Sequence, residues 1–279
     1  MKEDAHDEAA AIIQKRVGCH FKAKIAIVLG SGLGDFVNHI ENPVVISYKD
    51  LPGFHFSHVK GHGNQLYLGH IHNVPVAVLQ GRPHFYEGVD NRVFQTMVRT
   101  LKLVGCQIWV ATNASGSLKT DIKPGNLVLI KDHINFQFNN PLTGENNENF
   151  GERFVPMEAA YDPTLQRQFI DVAKKLKIIL YEEGVYMGVL GPSFETPSEI
   201  RVFQQLGAHV VGMSTIPEVI VARHCDMRVA ALSVVSNMAV GLSNTKVTHE
   251  EALKVAKQAA KKLQQLVLQF IIQINSSID

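Results

Sequence analysis

The sequence has few cysteines, no long apolar run and almost no net charge, and each shortage excludes a class of protein. Its three cysteines, Cys19, Cys106 and Cys225, are odd in number and far apart, which argues against a disulfide scaffold and for a reducing compartment. No segment approaches the ~18 consecutive apolar residues of a membrane span. The first residues lack the basic and apolar regions of a secretory signal, so the sequence predicts a cytoplasmic protein with no membrane partner.

The net charge of the sequence also limits the kinds of binding partner that we expect. The 27 Lys and Arg residues against 26 Asp and Glu leave a net charge of +1. Proteins that bind nucleic acid usually carry a basic excess on one face, so we expect no nucleic-acid partner. A small anion is still an allowed ligand, because a few local donors suffice to hold one.

The pattern of apolar residues predicts the fold class. Hydrophobic residues make up 46% of the 279 residues, enough for a substantial core. Short β-branched runs, typical of strands buried on both faces, alternate with amphipathic helical stretches. This alternation predicts an α/β fold: a single domain over residues 1–279, with a central mixed, mostly parallel twisted sheet flanked by helices on both faces. The predicted strands are residues 25–29, 74–79, 108–112, 127–130, 185–190, 210–213 and 229–235, and the predicted helices are residues 92–103, 163–176, 198–206, 217–224 and 249–274.

Residues 135–154 are rich in Asn, Gly and Pro and show neither the apolar spacing of an amphipathic helix nor the apolar pattern of a strand. A stretch of this length without regular structure is usually functional or mobile. We interpret it as a loop within the domain and not as a domain boundary.

Two segments that follow predicted strands carry groups suited to phosphate. Glycines in residues 30–34 allow backbone N–H groups to approach a ligand closely, and Ser31 adds a hydroxyl. A tight turn without a ligand is an equal alternative, since neither the dinucleotide nor the P-loop spacing is present. After a later strand, Arg82, His84 and Tyr86 alternate and would point to one side of an extended segment. Arg presents a planar fork to phosphate oxygens, although a solvated surface loop is the alternative.

Two other predicted strands end in segments that could contact a flat ligand. Residues 111–117 are small and lie where ligands bind in α/β sheets, but a tight strand-to-helix turn is the simpler interpretation. Phe194 could stack on a heterocycle, and Glu195 could accept hydrogen bonds from ring N–H and amino groups. Glu195 also fits near the start of the next helix, where the helix dipole favours a carboxylate.

The remaining polar segments have simple structural interpretations. Ser214 and Thr215 precede a helix and fit an N-cap. Asn237, at a strand end, is more often a turn former than a ligand. Thr248 and Glu251 fit a capping box, which would place His249 in the first turn of the last helix and free to face a cleft.

The shared placement of these segments is the stronger observation. Ser31, Arg82, Ala114, Glu195 and Asn237 all follow predicted strands, at the presumed carboxyl edge of the sheet. A cleft at that edge would combine phosphate donors, an aromatic wall, a carboxylate, an amide and a histidine.

Jointly, these segments resemble the purine nucleoside phosphorylases, in the trimeric branch specific for 6-oxopurines and its bacterial inosine–guanosine and xanthosine type. The similarity extends over about residues 25–270. It rests on residues 30–34, 61–62, 81–88, 112–114, 132–135, 150–154, 191–196 and 211–223.

The resemblance implies a nucleoside phosphorylase fold, a homotrimer and a role for each matched residue. His84, Glu195, Asn237 and His249 are implied to be catalytic. The implied ligands are Ser31, Arg82, His84, Ala114 (through its backbone N–H) and Ser214 for phosphate; Phe194, Glu195 and Asn237 for the base; and Tyr86, Met213 and His249, with Phe150 from a neighbouring subunit, for the ribose.

The resemblance also implies a reaction: reversible phosphorolysis of nucleosides and deoxynucleosides such as inosine and guanosine, to the free base and ribose 1-phosphate, in purine salvage. Inorganic phosphate is the implied co-substrate, and neither a metal nor an organic cofactor is implied. Glu195 would bond N1–H of the base, and Asn237 would bond N7 and O6. Adenine lacks N1–H and O6, and a site built to bond a missing group rejects the analogue by ~10⁴ or more in favourable cases.

Three positions depart from the family pattern. Met238 stands where the vertebrate enzymes have a lysine, as in bacterial enzymes that also take xanthosine. Leu190, however, stands where those bacterial enzymes have a tyrosine just before the Gly-Pro. Ser115 replaces a residue of the family's Ala-Gly-Gly segment, beside the implied phosphate donor Ala114.

Other functions agree less well with the sequence. A dinucleotide-dependent oxidoreductase is suggested by residues 30–34, but their glycine spacing is wrong for it. A nucleoside-binding protein without activity would not need the phosphate-type residues, and a methylthioadenosine phosphorylase would carry aspartates where Asn237 lies. A metal hydrolase lacks a His-Glu-x-x-His motif, and its candidate ligands would be His55, His58, His62, His70 and His72.

Overall fold

The computed structural model describes residues 4–243 and 248–275. The strands are β1 (Ile25–Leu29), β2 (Glu41–Ser47), β3 (Gln65–Ile71), β4 (Val74–Gln80), β5 (Ile108–Ser117), β6 (Leu127–Phe136), β7 (Leu180–Val189), β8 (Val210–Gly212) and β9 (Arg228–Met238). The helices are α1 (Ala5–Val17), α2 (Asn91–Leu103), α3 (Pro163–Leu176), α4 (Pro197–Gln205), α5 (Ile216–His224) and α6 (His249–Asn275).

The strands form one mixed sheet that closes on itself at one end. Their order is β2-β3-β4-β1-β5-β8-β7-β6-β9, and β5 pairs with β9 as well as with β8. The second pairing of β5 joins β5, β8, β7, β6 and β9 into a small barrel, from which β1 to β4 extend. β1 lies parallel to β4 and β5, whereas β2, β3 and β4 follow one another antiparallel. The predicted mixed sheet is confirmed, and its closure was not predicted.

Alternation along the central strands sends side chains to helices on both faces. In β1, Ala26 and Val28 pack into a cluster that includes buried residues of α1, α2 and α5. Ile25, Ile27 and Leu29 pack into a second cluster with α3 and α6. The predicted flanking of the sheet by helices on both faces is therefore confirmed.

The predicted elements are correct in kind but incomplete in extent. The helix at residues 163–176 has the predicted bounds, and Thr248 Oγ1 accepts a hydrogen bond from Glu251 N at 3.2 Å, as predicted for the start of α6. α1, β2 and β3 were missed. β5 and β9 continue beyond their predicted ends because residues 112–117 pair with β9 in parallel, Thr112 opposite Leu232 and Ser117 opposite Met238.

The predicted loop at residues 135–154 begins later and is longer than expected. β6 continues to Phe136, and no helix or strand follows before α3. The loop is tied to the domain by contacts with α5, such as the 3.0 Å hydrogen bond between Asn146 Oδ1 and His224 Nε2. Phe138 and Phe154, in contrast, are 84% and 86% exposed.

Membrane insertion by a helix finds no support in residues 4–243 and 248–275. No helix there has both the length and the apolar character that a span requires.

Candidate active site

A single cleft collects most of the predicted ligand residues. It has a volume of about 130 Å³ and lies where the turns after β1, β4 and β7 meet β5, β9 and the start of α5. The predicted residues that line it are Ser31, Arg82, His84, Tyr86, Ala114, Phe194, Glu195, Met213, Ser214 and Asn237. Ala114 and Asn237 lie within β5 and β9, so the expectation that both follow a strand is wrong.

The turn after β1 places Ser31 at one end of the cleft. A Cβ atom on Gly30 would lie 2.8 Å from the Cα of Asn113 and from the carbonyl oxygen of Thr112. Gly30 is therefore required by the close approach of β5, whatever the cleft binds. Gly32 has φ +81°, which favours glycine. Ser31 Oγ lies 3.3 Å from His62 Nε2.

Arg82 lines the cleft and belongs to a buried polar network. Its Nη1 donates to Glu218 Oε1 at 2.9 Å and to Thr215 Oγ1 at 3.1 Å. Its Nη2 donates to the carbonyl oxygens of Val28 and Thr112. These bonds use the four terminal N–H groups of the guanidinium. Within the described part of the chain, Nε–H has no hydrogen-bond partner.

The Arg82–Glu218 ion pair is almost completely shielded from water, with 1% of each side chain exposed. Burial raises the pKa of Glu218 to about 7, against the opposing effect of the positive charge on Arg82. An unpaired charge in the interior is very costly. The pair therefore ties α5, which carries Glu218, to the turn after β4, which carries Arg82.

A strained turn presents Ser214 to the cleft. Thr215 has φ 71° and ψ −55°, and Ile216 N–H donates to the Ser214 carbonyl oxygen at 2.8 Å, the geometry of a γ-turn with positive φ. This conformation is unfavourable for a β-branched residue. The N-cap interpretation of Thr215 is wrong, because its side chain makes no cap hydrogen bond. Its hydroxyl instead accepts hydrogen bonds from Arg82 and from Asn113 Nδ2, the latter at 2.9 Å.

His84 is held on several sides. Its Nδ1 lies 3.1 Å from Glu87 Oε2, and its ring stacks on Tyr86 and His62 with centroid distances of 4.7 and 5.3 Å. Burial lowers the pKa of His84, while the hydrogen bond to Glu87 raises it. Because Glu87 occupies Nδ1, Nε2 is the ring nitrogen left for a ligand in the cleft.

The cleft also offers an aromatic ring, a carboxylate and an amide. Phe194 is 42% exposed, and burial raises the pKa of its neighbour Glu195. Asn237 Oδ1 accepts from the Ser236 hydroxyl at 2.7 Å, and its Nδ2 donates to the Met238 carbonyl oxygen at 3.0 Å. An amide has two donors and two acceptor positions, so within the described part of the chain Asn237 keeps one of each for a ligand.

Two predicted residues are not placed in the cleft. His249 begins α6, but its side chain lies outside the described residues. Phe150 lies in the long loop and packs within its own chain, with its ring centroid 5.0 Å from the ring of His6 and 5.0 Å from Arg99 Cζ. The contact of Phe150 with the ribose in a neighbouring subunit's site stays a prediction.

Several residues of the site were missed by the sequence analysis. His62 lines the cleft, yet the sequence suggested for it only a hypothetical metal site. Ser115 Oγ lies 2.5 Å from Ser233 Oγ, which donates to Asn113 Oδ1 at 2.6 Å. Asn113 donates a hydrogen bond to Thr215, which also accepts one from Arg82. Ser115, which departs from the family pattern, is therefore part of the same hydrogen-bond network as Arg82. Only the pairing of β5 with β9 brings Ser115 and Ser233 together, and no local sequence signal marks it.

The amino-acid sequence matches one family over most of its length. The profile of the phosphorylase superfamily matches residues 24–272. The chain is 42% identical over 271 residues to purine nucleoside phosphorylase 1 of Bacillus subtilis, covering 97% of this chain and 99% of that protein.

Solved structures of similar shape come from the same kind of protein. Isoform 2 of purine nucleoside phosphorylase from Schistosoma mansoni, in complex with cytosine and ribose-1-phosphate, is similar with a TM-score of 0.90 and 37% identity, covering 97% of this chain and 96% of that one. The Schistosoma mansoni purine nucleoside phosphorylase in complex with inosine has a TM-score of 0.90 and 36% identity, covering 96% and 95%. Similar Schistosoma structures hold guanosine and adenosine.

Replacing Glu218 by Gln should destabilise the protein, because it leaves the buried guanidinium of Arg82 without a counter-charge. Removing one partner of a buried ion pair costs about 3–5 kcal/mol. Urea unfolding of the wild type and of Glu218→Gln measures the difference.

The matched control is Glu183→Gln, which breaks the exposed pair between Lys131 and Glu183, with 53% and 66% of the two side chains exposed. Exposed pairs contribute about 0–1 kcal/mol. If both variants unfold at the same urea concentration, the Arg82–Glu218 pair does not stabilise the site as argued.

Proposed function

The chain belongs to the phosphorylase superfamily, among the purine nucleoside phosphorylases, and from this premise we propose that its substrates are 6-oxopurine nucleosides and deoxynucleosides. Inosine and guanosine are split reversibly by phosphate into the free base and ribose 1-phosphate. The observation that carries this proposal is the cleft itself, which combines Ser31, His84 and Ser214 with Glu195 and Asn237. We place the reaction in purine salvage in the cytoplasm, with the whole chain as one catalytic domain.

Phosphate is assigned to the end of the cleft that holds hydroxyls, a histidine and a buried cation. Ser31 and Ser214 supply hydroxyl groups, His84 supplies Nε2, and Ala114 supplies its backbone N–H. Arg82 acts chiefly through its positive charge, since its terminal N–H groups are already bonded within the protein. A charge fixed in a dry, preorganised site stabilises a reacting anion strongly.

The base is assigned to the end that holds Phe194, Glu195 and Asn237. The Phe194 ring stacks on the purine, and Glu195 accepts from N1–H and, in guanine, from the 2-amino group. Asn237 donates its second N–H to O6, and its Oδ1 accepts a hydrogen bond from N7–H when N7 of the leaving base carries a proton. Negative charge that grows on the leaving base is stabilised there, which lowers the barrier more than equal binding of the ground state would.

The ribose lies between these two ends, against Tyr86 and Met213, with His249 at its 5′-hydroxyl. Phosphate attacks C1′ while the C1′–N9 bond breaks, and the positive charge on the ribose is stabilised by the phosphate dianion. Every group in this scheme is a protein side chain, a backbone N–H or a substrate. We therefore propose that neither a metal nor an organic cofactor takes part.

A homotrimer accounts for the exposed aromatic residues of the long loop. Phe138 and Phe154 expose 84% and 86% of their surface, which is unusual for a monomer when such residues share one segment. We propose that this loop packs on a neighbouring subunit and carries Phe150 to the ribose there.

The reaction is tested by product formation from inosine, guanosine, xanthosine and adenosine, each with and without inorganic phosphate. We expect phosphate-dependent release of hypoxanthine and guanine, because the base contacts require N1–H and O6. Adenosine should be turned over far more slowly; turnover and not binding is the readout, since a relative has been seen with adenosine bound. Turnover without phosphate would make the protein a hydrolase and contradict the phosphate assignment.

The base assignment is tested by Asn237→Asp. A carboxylate accepts from the 6-amino group of adenine but cannot donate to O6, so adenosine turnover relative to inosine should rise by at least about tenfold, or about 1.4 kcal/mol. Ser236→Ala, which removes the hydroxyl donor to Asn237 Oδ1 and leaves the amide, should keep the preference for inosine. An unchanged ratio in Asn237→Asp would remove Asn237 from the base site.

The oligomer is tested by sedimentation, which should give three times the chain mass of 30.9 kDa. Phe150→Ala should raise the KM for inosine by about tenfold and leave the KM for phosphate near its wild-type value, since stacking on the ribose side is worth about 1 kcal/mol or more. Ile179→Ala, at another exposed apolar position (80%), serves as the control. A monomer with full activity would overturn the trimer and the role of Phe150 together.

A further inference from the structure

Glu87 connects the cleft to a second histidine that the reaction scheme does not use. Its Oε2 accepts hydrogen bonds from the backbone N–H and Nδ1 of His84, both at 3.1 Å. Its Oε1 accepts from the backbone N–H of His58 and from Nε2 of His55, both at 3.2 Å. One carboxylate thus joins His84 to His55 on the segment between β2 and β3.

The three side chains form a series from the interior to the surface. The exposed fraction is 8% for His84, 10% for Glu87 and 22% for His55. His55 is therefore the member of the series that is most accessible to water. A change in its charge acts on His84 through a carboxylate that contacts both rings.

Resting on the proposed phosphate site, we propose that His55 is a positioning residue for phosphate binding: it holds Glu87, which orients His84, and protonation of His55 weakens the binding of phosphate by His84. His55 touches neither substrate in this scheme. It acts only through Glu87.

The sign of the effect follows from the charges. Although burial acts to raise it, hydrogen bonds from neighbours that include His84 and His55 hold the pKa of Glu87 at about 2. Glu87 is then a carboxylate at neutral pH, and His84 Nδ1 is a donor to it. A second proton on His84 Nε2 lets the ring donate to a phosphate oxygen. Positive charge on His55 opposes that second proton, and His55 lowers the pKa of His84 accordingly.

The other groups that face these rings keep their charge over the working range. Burial and the neighbouring His84 and Arg82 lower the pKa of His62 to about 3, so His62 stays neutral. Burial raises the pKa of Tyr86 to about 12. Glu87 stays anionic and raises the pKa of His84, whereas Arg82 lowers it.

The test compares wild type with His55→Gln, whose amide still donates to Glu87 but carries no proton that titrates. Kinetics of inosine phosphorolysis between about pH 5.5 and 9 give the KM for phosphate and kcat separately. In His55→Gln the phosphate KM should begin to rise at a pH that is higher by at least about 0.5 unit. At pH values where the wild-type KM is rising, the KM of the variant should therefore be roughly threefold lower. The kcat should stay within about twofold of wild type.

Two further variants separate charge from orientation. His58→Gln changes an exposed imidazole on the same segment, which lies against Phe56 and not on Glu87, and its profile should follow wild type. His55→Phe removes the donor to Glu87 and should raise the phosphate KM about three- to tenfold at every pH, since the His84 ring is less well oriented. A His55→Gln profile that superimposes on wild type would overturn the proposal.

Calorimetric titration with inorganic phosphate, at the same pH values, distinguishes this proposal from the proposed function. If wild type binds phosphate with the expected pH dependence but releases no base, the reaction is wrong and the role of His55 stands. If wild type phosphorolyses inosine and His55→Gln binds phosphate with the wild-type pH dependence, the reaction stands and the role of His55 is wrong.

Discussion

The buried positive charge of Arg82 is the constraint on which the site depends. A guanidinium with 1% of its side chain exposed must find acceptors and a counter-charge inside the protein. Its acceptors come from β1, β5, the γ-turn and α5. Because these partners belong to separate elements, satisfying one side chain fixes where the turn after β4, the start of α5 and the central strands meet.

The strained backbone at Thr215 follows from the same network. Its hydroxyl can bond both Arg82 and Asn113 only where the chain turns sharply between β8 and α5. The positive φ of a β-branched residue costs about 1–3 kcal/mol, which several buried hydrogen bonds can offset. The result is that Ser214 faces the cleft from a turn with little freedom, as a ligand of phosphate requires.

The two ends of the cleft are built differently, and this suits two substrates with different chemistry. The end assigned to phosphate rests on a buried network of charge and hydroxyl groups around Arg82. The end assigned to the base is more open, with Phe194 42% exposed and Asn237 keeping one donor and one acceptor free. This difference suits the proposed reaction, in which phosphate is held in place while nucleoside enters and base leaves.

Many of the secondary-structure elements and turn residues were predicted from the amino-acid sequence, because the patterns that indicate them involve residues only a few positions apart. Seven of the nine described strands, five of the six described α-helices, the start of α6 and the cleft-lining residues after β1, β4 and β7 were all predicted in this way. What depends on distant partners was not: the closure of the barrel, the continuation of β5 through Ser117, the need for glycine at position 30, and the pairing of Arg82 with Glu218. Those features were decided only by the tertiary structure, since strand pairing and the burial of charge are settled by residues that lie as many as 136 positions apart.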